Sequence, residues 1–168
     1  MGTHAHKAAA PKHLKVAILS VSTSRSLAED KSGQWMAKTA GKEGHTVVDH
    51  RMVTDDGPSI VAQVREILAE KQPQALLITG GTGIGPADVT IEAVRPLLRK
   101  ELTAFGPLFA QLSFEEIDSA ALLSRATAGL IDQAVVFCLP GSLKACQLAC
   151  KALIFPELGH LVKHTLTG

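Results

Sequence analysis

A run of glycine and hydroxyl residues follows an apolar segment and precedes an acid. Residues 74–79 are apolar apart from their ends, and glycines occupy positions 80, 81, 83 and 85. Glycine lacks the Cβ atom that keeps a phosphate away from backbone N–H groups, and it tolerates a positive φ. The run predicts an anion site whose phosphate-binding residues are Thr79, Gly80, Gly81, Thr82 and Gly83.

Neither of two familiar phosphate-binding motifs fits this run. A P-loop ends in Gly-Lys-Ser/Thr, whereas Gly85 is followed by Pro86 and Ala87. The dinucleotide-binding fingerprint requires a third glycine or an alanine where this chain has Pro86. The alternative is a strand-to-helix turn that binds nothing, but four glycines are more than such a turn requires.

Acidic residues in two loops suggest a metal ion. Asp88 follows the glycines, and Asp55 and Asp56 follow a predicted strand. A bare carboxylate repels phosphate, so Asp88 indicates either an Mg²⁺ ion between the two or a helix cap. Asp55 and Asp88 are therefore the candidate metal ligands and catalytic residues. Asp56 could replace Asp55, and either could simply cap the helix at Pro58.

A second strand-to-helix junction repeats this pattern. Pro140, Gly141 and Ser142 precede a predicted helix that carries Lys144 in its first turn. Free N–H groups at a helix start and a nearby cation both attract anions. Two anion sites at one edge suggest two phosphorylated substrates. Phosphoryl and nucleotidyl transfer needs no nucleophilic side chain, and no Ser-His-Asp triad is evident.

The elements that position these loops alternate between strand and helix. This alternation predicts an α/β fold: a three-layer, mostly parallel sheet with helices on both faces. Ligands of such sheets bind beyond the carboxyl ends of the strands, where all four polar loops would meet. The predicted strands are 15–21, 46–53, 74–79 and 134–139. The predicted helices run from an N-cap at Ser32 to Gly44, through 60–68, over 91–94, over 105–126, and from 143 to about 153.

Length and composition limit the classes of protein. The 168 residues fit one domain, 14–168, after an arm at 1–13 that we expect to be disordered. A net charge of +1 indicates neither a nucleic acid nor an acidic membrane as partner. The chain has no apolar run of the roughly 20 residues that span a bilayer and no secretion signal at its start, which predicts a cytoplasmic protein.

Cysteines and histidines give weaker signals. Three cysteines without a Cys-x-x-Cys pair indicate reduced core thiols. His160 and His164 are four residues apart, but the chain lacks the glutamate that follows the first histidine in a zinc peptidase helix. The sequence alone therefore assigns no metal to these histidines.

Four motifs in order resemble one family. They are Thr-Gly-Gly-Thr-Gly at 79–83 with Asp-Val-Thr at 88–90, Leu-Ser-Phe-Glu-Glu-Ile at 112–117, Leu-Ser-Arg at 123–125, and Pro-Gly-Ser-Leu-Lys-Ala-Cys at 140–146. Together they resemble the family of molybdenum cofactor biosynthesis protein B and molybdopterin adenylyltransferase, over residues 15–156. The resemblance implies a trimer or hexamer that binds molybdopterin and, in adenylylating members, ATP with Mg²⁺.

The resemblance also implies residue roles. Asp55 and Asp88 would bind the metal and catalyse adenylylation, and the glycine loop would hold nucleotide phosphates. The molybdopterin-binding residues would be Ser20, Ser22, Pro140, Gly141, Ser142 and Lys144. The serines could equally be turn residues and caps.

Two other functions stay open. Thr23 stands where catalytic relatives often carry an acid, and no basic segment precedes Asp88, which would suit a noncatalytic molybdopterin-binding protein. A flavodoxin-like module for another phosphorylated ligand is the third candidate. One Trp and no Tyr count against it, because flavin rings are often packed between aromatic side chains.

Overall fold

A computed structural model describes residues 10–166 and confirms the α/β fold. The six strands form one sheet in the order β2-β1-β3-β6-β5-β4. The strands are β1 (Lys15–Val21), β2 (Thr46–Val53), β3 (Ala75–Thr79), β4 (Lys100–Glu101), β5 (Thr127–Ile131) and β6 (Ala134–Leu139). Strands β2, β1, β3 and β6 are parallel, whereas β5 and β4 run antiparallel at one edge.

Helices cover both faces of the sheet. They are α1 (Lys31–Lys42), α2 (Gly57–Lys71), α3 (Thr90–Val94), α4 (Phe105–Ile117), α5 (Leu143–Ala149) and α6 (Phe155–Leu166). A π-helical turn, Cys150–Ile154, joins α5 to α6, and a 3₁₀ segment, Asp118–Leu123, follows α4. Short 3₁₀ turns also occupy Leu27–Glu29 and Arg95–Leu97.

Side chains of the central strands alternate between two cores, which makes three layers. Val16 and Ile18 of β1 pack with Met36 of α1 and Phe109 of α4. Ala17 and Leu19 lie in the opposite core with Ile60, Val64 and Ile67 of α2, all fully buried. The periodicity predicted this helix because its apolar residues recur every three or four positions.

The carboxyl ends of three central strands lie level with one another. Ser20 of β1 is paired with Thr79 of β3, and Thr79 is paired with Leu139 of β6. The chain leaves β1 toward β2 on one side and later returns to β3 on the other, so the winding reverses here. This edge is where an open α/β sheet offers a binding crevice.

The structure corrects three predicted boundaries. Asp30, not Ser32, is the N-cap of α1, because its side chain accepts a hydrogen bond from the amide of Gly33. The predicted helix over 105–126 ends at Ile117 and gives way to the 3₁₀ segment. The helix predicted to end near 153 continues to Leu166, and the π-helical turn precedes Pro156, which has no N–H to donate.

The antiparallel strands β4 and β5 were missed by the sequence analysis. Strand β4 has two residues, too few for a periodic pattern. Strand β5 contains Gly129, which is uncommon within strands. A Cβ atom at Gly129 would lie 2.4 Å from the carbonyl oxygen of Lys100, so glycine allows β4 to approach.

The start of the described region lies against the domain. The arm predicted at 1–13 falls outside the described residues up to position 9. His13 Nδ1 lies 2.7 Å from the carbonyl oxygen of Gly44. A search of the described residues finds no helix with the length and apolarity that a bilayer crossing requires.

Candidate functional site at the carboxyl edge of the sheet

The glycine loop begins with two residues in the left-handed region. Gly80 has a φ of 97° and Gly81 a φ of 65°. A Cβ atom at Gly80 would lie 2.3 Å from the carbonyl oxygen of Val21, and one at Gly81 would lie 2.4 Å from Thr90 Oγ1. Both the backbone conformation and the close contacts therefore require glycine.

Hydrogen bonds turn the carbonyl groups of this loop toward the protein. Thr90 donates from its hydroxyl to the Gly80 carbonyl at 2.8 Å and from its amide to the Gly81 carbonyl at 2.9 Å. The Arg125 guanidinium donates to the Gly83 carbonyl at 2.8 Å. Within residues 10–166, the amides of Gly81, Gly83 and the intervening threonine donate no hydrogen bond. The loop thus presents unpaired donors, which an anion can accept.

Two predicted phosphate ligands have other partners in the fold. The amide of Gly80 donates to the carbonyl of Leu139 at 3.0 Å, within the sheet edge. The hydroxyl of Thr79 is buried and donates to the carbonyl of Pro140 at 3.0 Å. Thr82 is only 2% exposed, so its side chain does not lie on the loop surface.

Asp88 lies inside the glycine loop. Its Oδ2 atom accepts a hydrogen bond from the amide of Gly85 at 2.8 Å. A Cβ atom at Gly83 would lie 2.7 Å from the same oxygen. Helix α3 begins at Thr90 and its N-cap is Val89, so Asp88 is not that helix's cap.

The structure distinguishes the roles of Asp55 and Asp56. Asp56 caps α2 by accepting from the amide of Ser59 at 2.9 Å, and hydrogen bonds from the Ser59 side chain and amide lower its pKa. Asp55 instead accepts from the amide of Thr23 at 2.7 Å and from its hydroxyl at 2.8 Å, both through Oδ2. Asp55 Oδ1 lies 3.3 Å from the position of a Cβ atom on Gly81.

Both carboxylates therefore lie beside the same loop. Within residues 10–166, Oδ1 of Asp55 and Oδ1 of Asp88 accept no hydrogen bond. That part of the chain contains no cluster of three or more metal-binding side chains. Two carboxylates next to unpaired amides fit Mg²⁺, which commonly takes one or two carboxylates and completes its shell with phosphates and water.

The second predicted loop packs against the first. A Cβ atom on Gly141 would lie 3.3 Å from the Cα atom of Gly80. Ser32 donates to the Gly141 carbonyl at 2.9 Å, and Cys146 donates to the Pro140 carbonyl at 3.3 Å. These carbonyl groups also turn inward, as in the glycine loop.

The second loop also carries a helix cap and has two positive charges beside it. Ser142 accepts from the amide of Ala145 at 3.2 Å and caps α5. Lys144 is exposed on the first turn of that helix. Arg25 Nη2 would lie 3.5 Å from a Cβ atom on Gly141, so a second cation lies over the junction of the two loops.

The predicted serines of the first loop lie at different depths. Ser20 is 2% exposed and donates to the carboxylate of Asp30. His50 Nε2 lies 2.8 Å from the same carboxylate. Burial would raise the pKa of Asp30, but hydrogen bonds from His50, Ser20 and the amide of Gly33 outweigh it and lower that pKa. Ser20 thus fixes the start of α1 from within.

Ser22 lies nearer the surface than Ser20. Its hydroxyl accepts from the amide of Arg25 at 3.2 Å and lies 3.4 Å from Arg25 Nε. Ser22 thereby shapes the turn that carries the guanidinium.

Four residues build this site through contacts that were not predicted from the sequence: Thr23, Arg25, Asp30 and Arg125. Asp30 had a usable signal, since Asp is a preferred N-cap. Arg125 stood in a quoted motif, but its contact with Gly83 joins residues 42 positions apart. Periodicity carries no information on a contact of that kind.

Comparison with known proteins identifies the family of this chain. Residues 17–160 match the family model described as "Probable molybdopterin binding domain". The chain therefore belongs to this family, and the family prediction from the four motifs is confirmed.

Individual relatives are similar to this chain over nearly its whole length. Molybdenum cofactor biosynthesis protein B of Bacillus anthracis is 44% identical over 162 residues, which cover 96% of both chains. A crystal structure of molybdenum cofactor biosynthesis protein B is 42% identical and matches with a TM-score of 0.91 over 95% of this chain and 99% of that one. The tungsten cofactor synthesizing protein MoaB from Pyrococcus furiosus is 37% identical, with a TM-score of 0.82 over 93% and 99% of the two chains. These matches support a role in molybdenum cofactor biosynthesis.

Proposed function

We propose that this chain binds molybdopterin and adenylylates it with ATP and Mg²⁺ before molybdate is inserted. The observation that carries the proposal is the loop of unpaired amides at 81–83 with Asp55 and Asp88 against it. A polyphosphate is the ligand that uses both features at once, because its oxygens accept from the amides and share a cation with the carboxylates.

The nucleotide would bind on the glycine loop. The three amides at 81–83 would donate to phosphate oxygens, whereas Gly80 provides the left-handed turn. Thr90 and Arg125 hold the loop carbonyls, so the donors are already oriented before the ligand arrives. Such preorganisation reduces the cost of stabilising charge that develops during the reaction.

Asp55 and Asp88 would hold Mg²⁺ through their Oδ1 atoms. When bound, the ion neutralises charge on the phosphate oxygens. Thr23 and Gly85 fix the other oxygen of each carboxylate, so neither side chain must be ordered when the ion binds.

Molybdopterin would bind at the second loop. The inward carbonyls of Pro140 and Gly141 leave the start of α5 to face its terminal phosphate. Lys144 and Arg25 supply two positive charges at that position. Because Gly80 and Gly141 touch, the two phosphates would lie next to each other.

This juxtaposition suits nucleotidyl transfer. An oxygen of the molybdopterin phosphate forms a bond to the α-phosphorus of ATP, and the bond from that phosphorus to the bridging oxygen breaks. Pyrophosphate leaves, and adenylylated molybdopterin remains. Positioning and charge neutralisation suffice for such a reaction.

A noncatalytic molybdopterin-binding protein is the second candidate, and Thr23 favours it. Thr23 donates twice to Asp55 at a position where relatives often carry an acid. If the site holds no nucleotide, the second loop alone would bind the pterin, and Asp88 would serve only to shape its own turn.

The family resemblance also suggests a trimer or hexamer, and one surface suits it. Large apolar side chains are exposed along α4 and the 3₁₀ segment: Leu108, Phe114, Ile117, Leu122 and Leu123 are 46–85% exposed. An apolar patch of this kind marks an interaction surface. Leu123 and Lys144 line the same cleft, so a neighbouring subunit would adjoin the second loop.

Product formation tests the proposal. The assay mixes the protein with molybdopterin, Mg²⁺ and ATP that is labelled at the α-phosphate. It quantifies the label on the pterin and, separately, the pyrophosphate released. Asp55→Asn and Asp88→Asn should each lower the rate by about 100-fold or more, and Asp56→Asn, the matched control, should leave it nearly unchanged. Pterin binding without either product, in folded protein, would establish the noncatalytic alternative instead.

A further inference from the structure

Two histidines of α6 face each other at the edge of the sheet opposite the proposed nucleotide site. His160 and His164 are one helical turn apart, and their Nε2 atoms are 3.0 Å apart. Thr165 and Leu166, at the end of the same helix, line a cleft with Gln74, which directly precedes β3. The pair therefore lies far from the glycine loop, and the proposed reaction does not use it.

A carboxylate selects the tautomer of one ring in its neutral form. Glu157 Oε2 lies 3.3 Å from His160 Nδ1. An ionised carboxylate only accepts, so Nδ1 of a neutral His160 carries the proton and Nε2 keeps its lone pair. A carboxylate on the outer nitrogen of a histidine is also the usual second partner of a metal-binding imidazole.

The His164 ring has a free lone pair on Nε2 after a change of tautomer. With the His160 Nε2 lone pair as acceptor, His164 Nε2 carries the proton between the rings. When that proton sits on Nδ1 of His164 instead, both Nε2 atoms carry a lone pair. The two nitrogens are 3.0 Å apart and the ring centroids 4.7 Å apart, so the nitrogens face each other across a common point. His164 is exposed and 24% of the His160 side chain is accessible, so that point is open to solvent.

We propose that His160 and His164 chelate one divalent transition-metal ion through their Nε2 atoms. Metal–imidazole bonds of about 2.0–2.1 Å place two ligands about 2.9 Å apart at a right angle and about 3.3 Å apart at a tetrahedral angle. The observed separation of 3.0 Å is close to the right-angle value, and tetrahedral Zn²⁺ requires the two nitrogens to move apart by about 0.3 Å. Imidazole is the ligand type that suits Zn²⁺, Cu²⁺ and Ni²⁺.

Water would complete the coordination shell. No cluster of three or more metal-binding side chains occurs among residues 10–166, so the described chain offers two ligands. Two ligands on a rigid helix make an open site that exchanges metal with solvent, unlike a closed four-ligand structural site.

The test is a Zn²⁺ titration of the full chain by calorimetry, with a background that removes competing ligands. Residues 10–11 pack against α6 at Gly159, since a Cβ atom on Gly159 would lie 2.5 Å from the Pro11 carbonyl oxygen. His4 and His6 precede that segment and are replaced by Gln in every sample, including the reference. His13→Gln is the matched control, because the His13 ring hydrogen-bonds to the Gly44 carbonyl and to neither histidine of α6.

With excess Mg²⁺ present to occupy the proposed site at Asp55 and Asp88, the reference should bind one Zn²⁺ per chain, and His160→Gln or His164→Gln should weaken binding by about tenfold or more. Glu157→Gln should weaken it by about tenfold, because the His160 ring loses the carboxylate at its Nδ1. His13→Gln should bind as the reference does. Zinc binding that survives His160→Gln/His164→Gln would overturn the proposal.

Imidazole NMR of the reference protein gives a readout that does not depend on variants. Saturating Zn²⁺ should shift the resonances of both α6 histidines and leave those of His13 in place. Unchanged α6 resonances at saturation would also overturn the proposal, whatever the variants do.

Discussion

Replacing Gly80 by Ala should lower the unfolding free energy of the protein, because two independent costs coincide at this residue. A φ of 97° costs a residue with a Cβ atom about 1–2 kcal/mol. The new methyl group would also lie 2.3 Å from the carbonyl oxygen of Val21, a backbone atom that the sheet holds in place. Overpacking of this kind costs about 1–3 kcal/mol. Together these terms predict a loss of about 2–5 kcal/mol in unfolding free energy.

Urea unfolding followed by circular dichroism measures this loss, and Gly41→Ala is its matched control. Gly41 lies in α1, has no positive φ, and a Cβ atom there meets nothing within 4 Å. Gly41→Ala should therefore stabilise the protein by up to about 1 kcal/mol, because alanine favours the helix. A Gly80→Ala protein within about 0.5 kcal/mol of the unsubstituted chain would refute the reasoning, since neither the strain nor the contact would then be real.

Three further predictions concern carboxylates and thiols. Asp30→Asn should lower the unfolding free energy by about 1–3 kcal/mol at neutral pH, because an NH2 group replaces the buried oxygen that accepts from Ser20 and lies beside His50. The pKa of Asp30 is lower in the folded chain, so its stabilising contribution is complete above about pH 4 and is lost as the pH falls further; urea unfolding between pH 5 and 3 should show a shallower loss in the variant. Asp56→Ala should cost about 1 kcal/mol in unfolding free energy through loss of a helix cap, and an unchanged value would contradict that role. Burial raises the pKa of Cys138 to about 12 and of Cys146 to about 11, so iodoacetamide at pH 8 should label neither until urea is added, as mass spectrometry of the intact protein would reveal.

The parallel half of the fold was predictable because its signals are local. Strand β1 is a continuous apolar run, and the predicted bounds of β1, β2 and β6 coincide with those observed. Helix α2 shows a strong period since its buried residues lie on one face. Strand β5 is different: Gly129 weakens the local preference, and its pairing with β4 and β6 comes from tertiary contacts.

Residue type alone could not decide between neighbouring candidates for a site residue or a helix cap. Asp55 and Asp56 are chemically identical, and only the extended backbone of Asp56 with its bond to Ser59 identifies that residue as the cap. Ser32 and Asp30 are both good N-caps, but Asp30 is also held by Ser20 and His50, residues that belong to two different strands. Such choices depend on contacts that arise only when the chain is folded.

Residue types in the loops nevertheless indicated where chemistry should lie. Glycines that permit close approach and acids that attract cations act through properties of the residue itself, so they can be recognised without coordinates. The holding contacts of Thr23 and Arg125 follow from loop geometry, which the sequence does not encode locally.

A crystal structure with Mn²⁺ in place of Mg²⁺ and a nonhydrolysable ATP analogue tests the central claim most directly. We expect an anomalous peak within coordination distance of Oδ1 of both Asp55 and Asp88, and phosphate oxygens on the amides of residues 81–83. A nucleotide bound elsewhere, or a metal that contacts neither carboxylate, would contradict the proposed site.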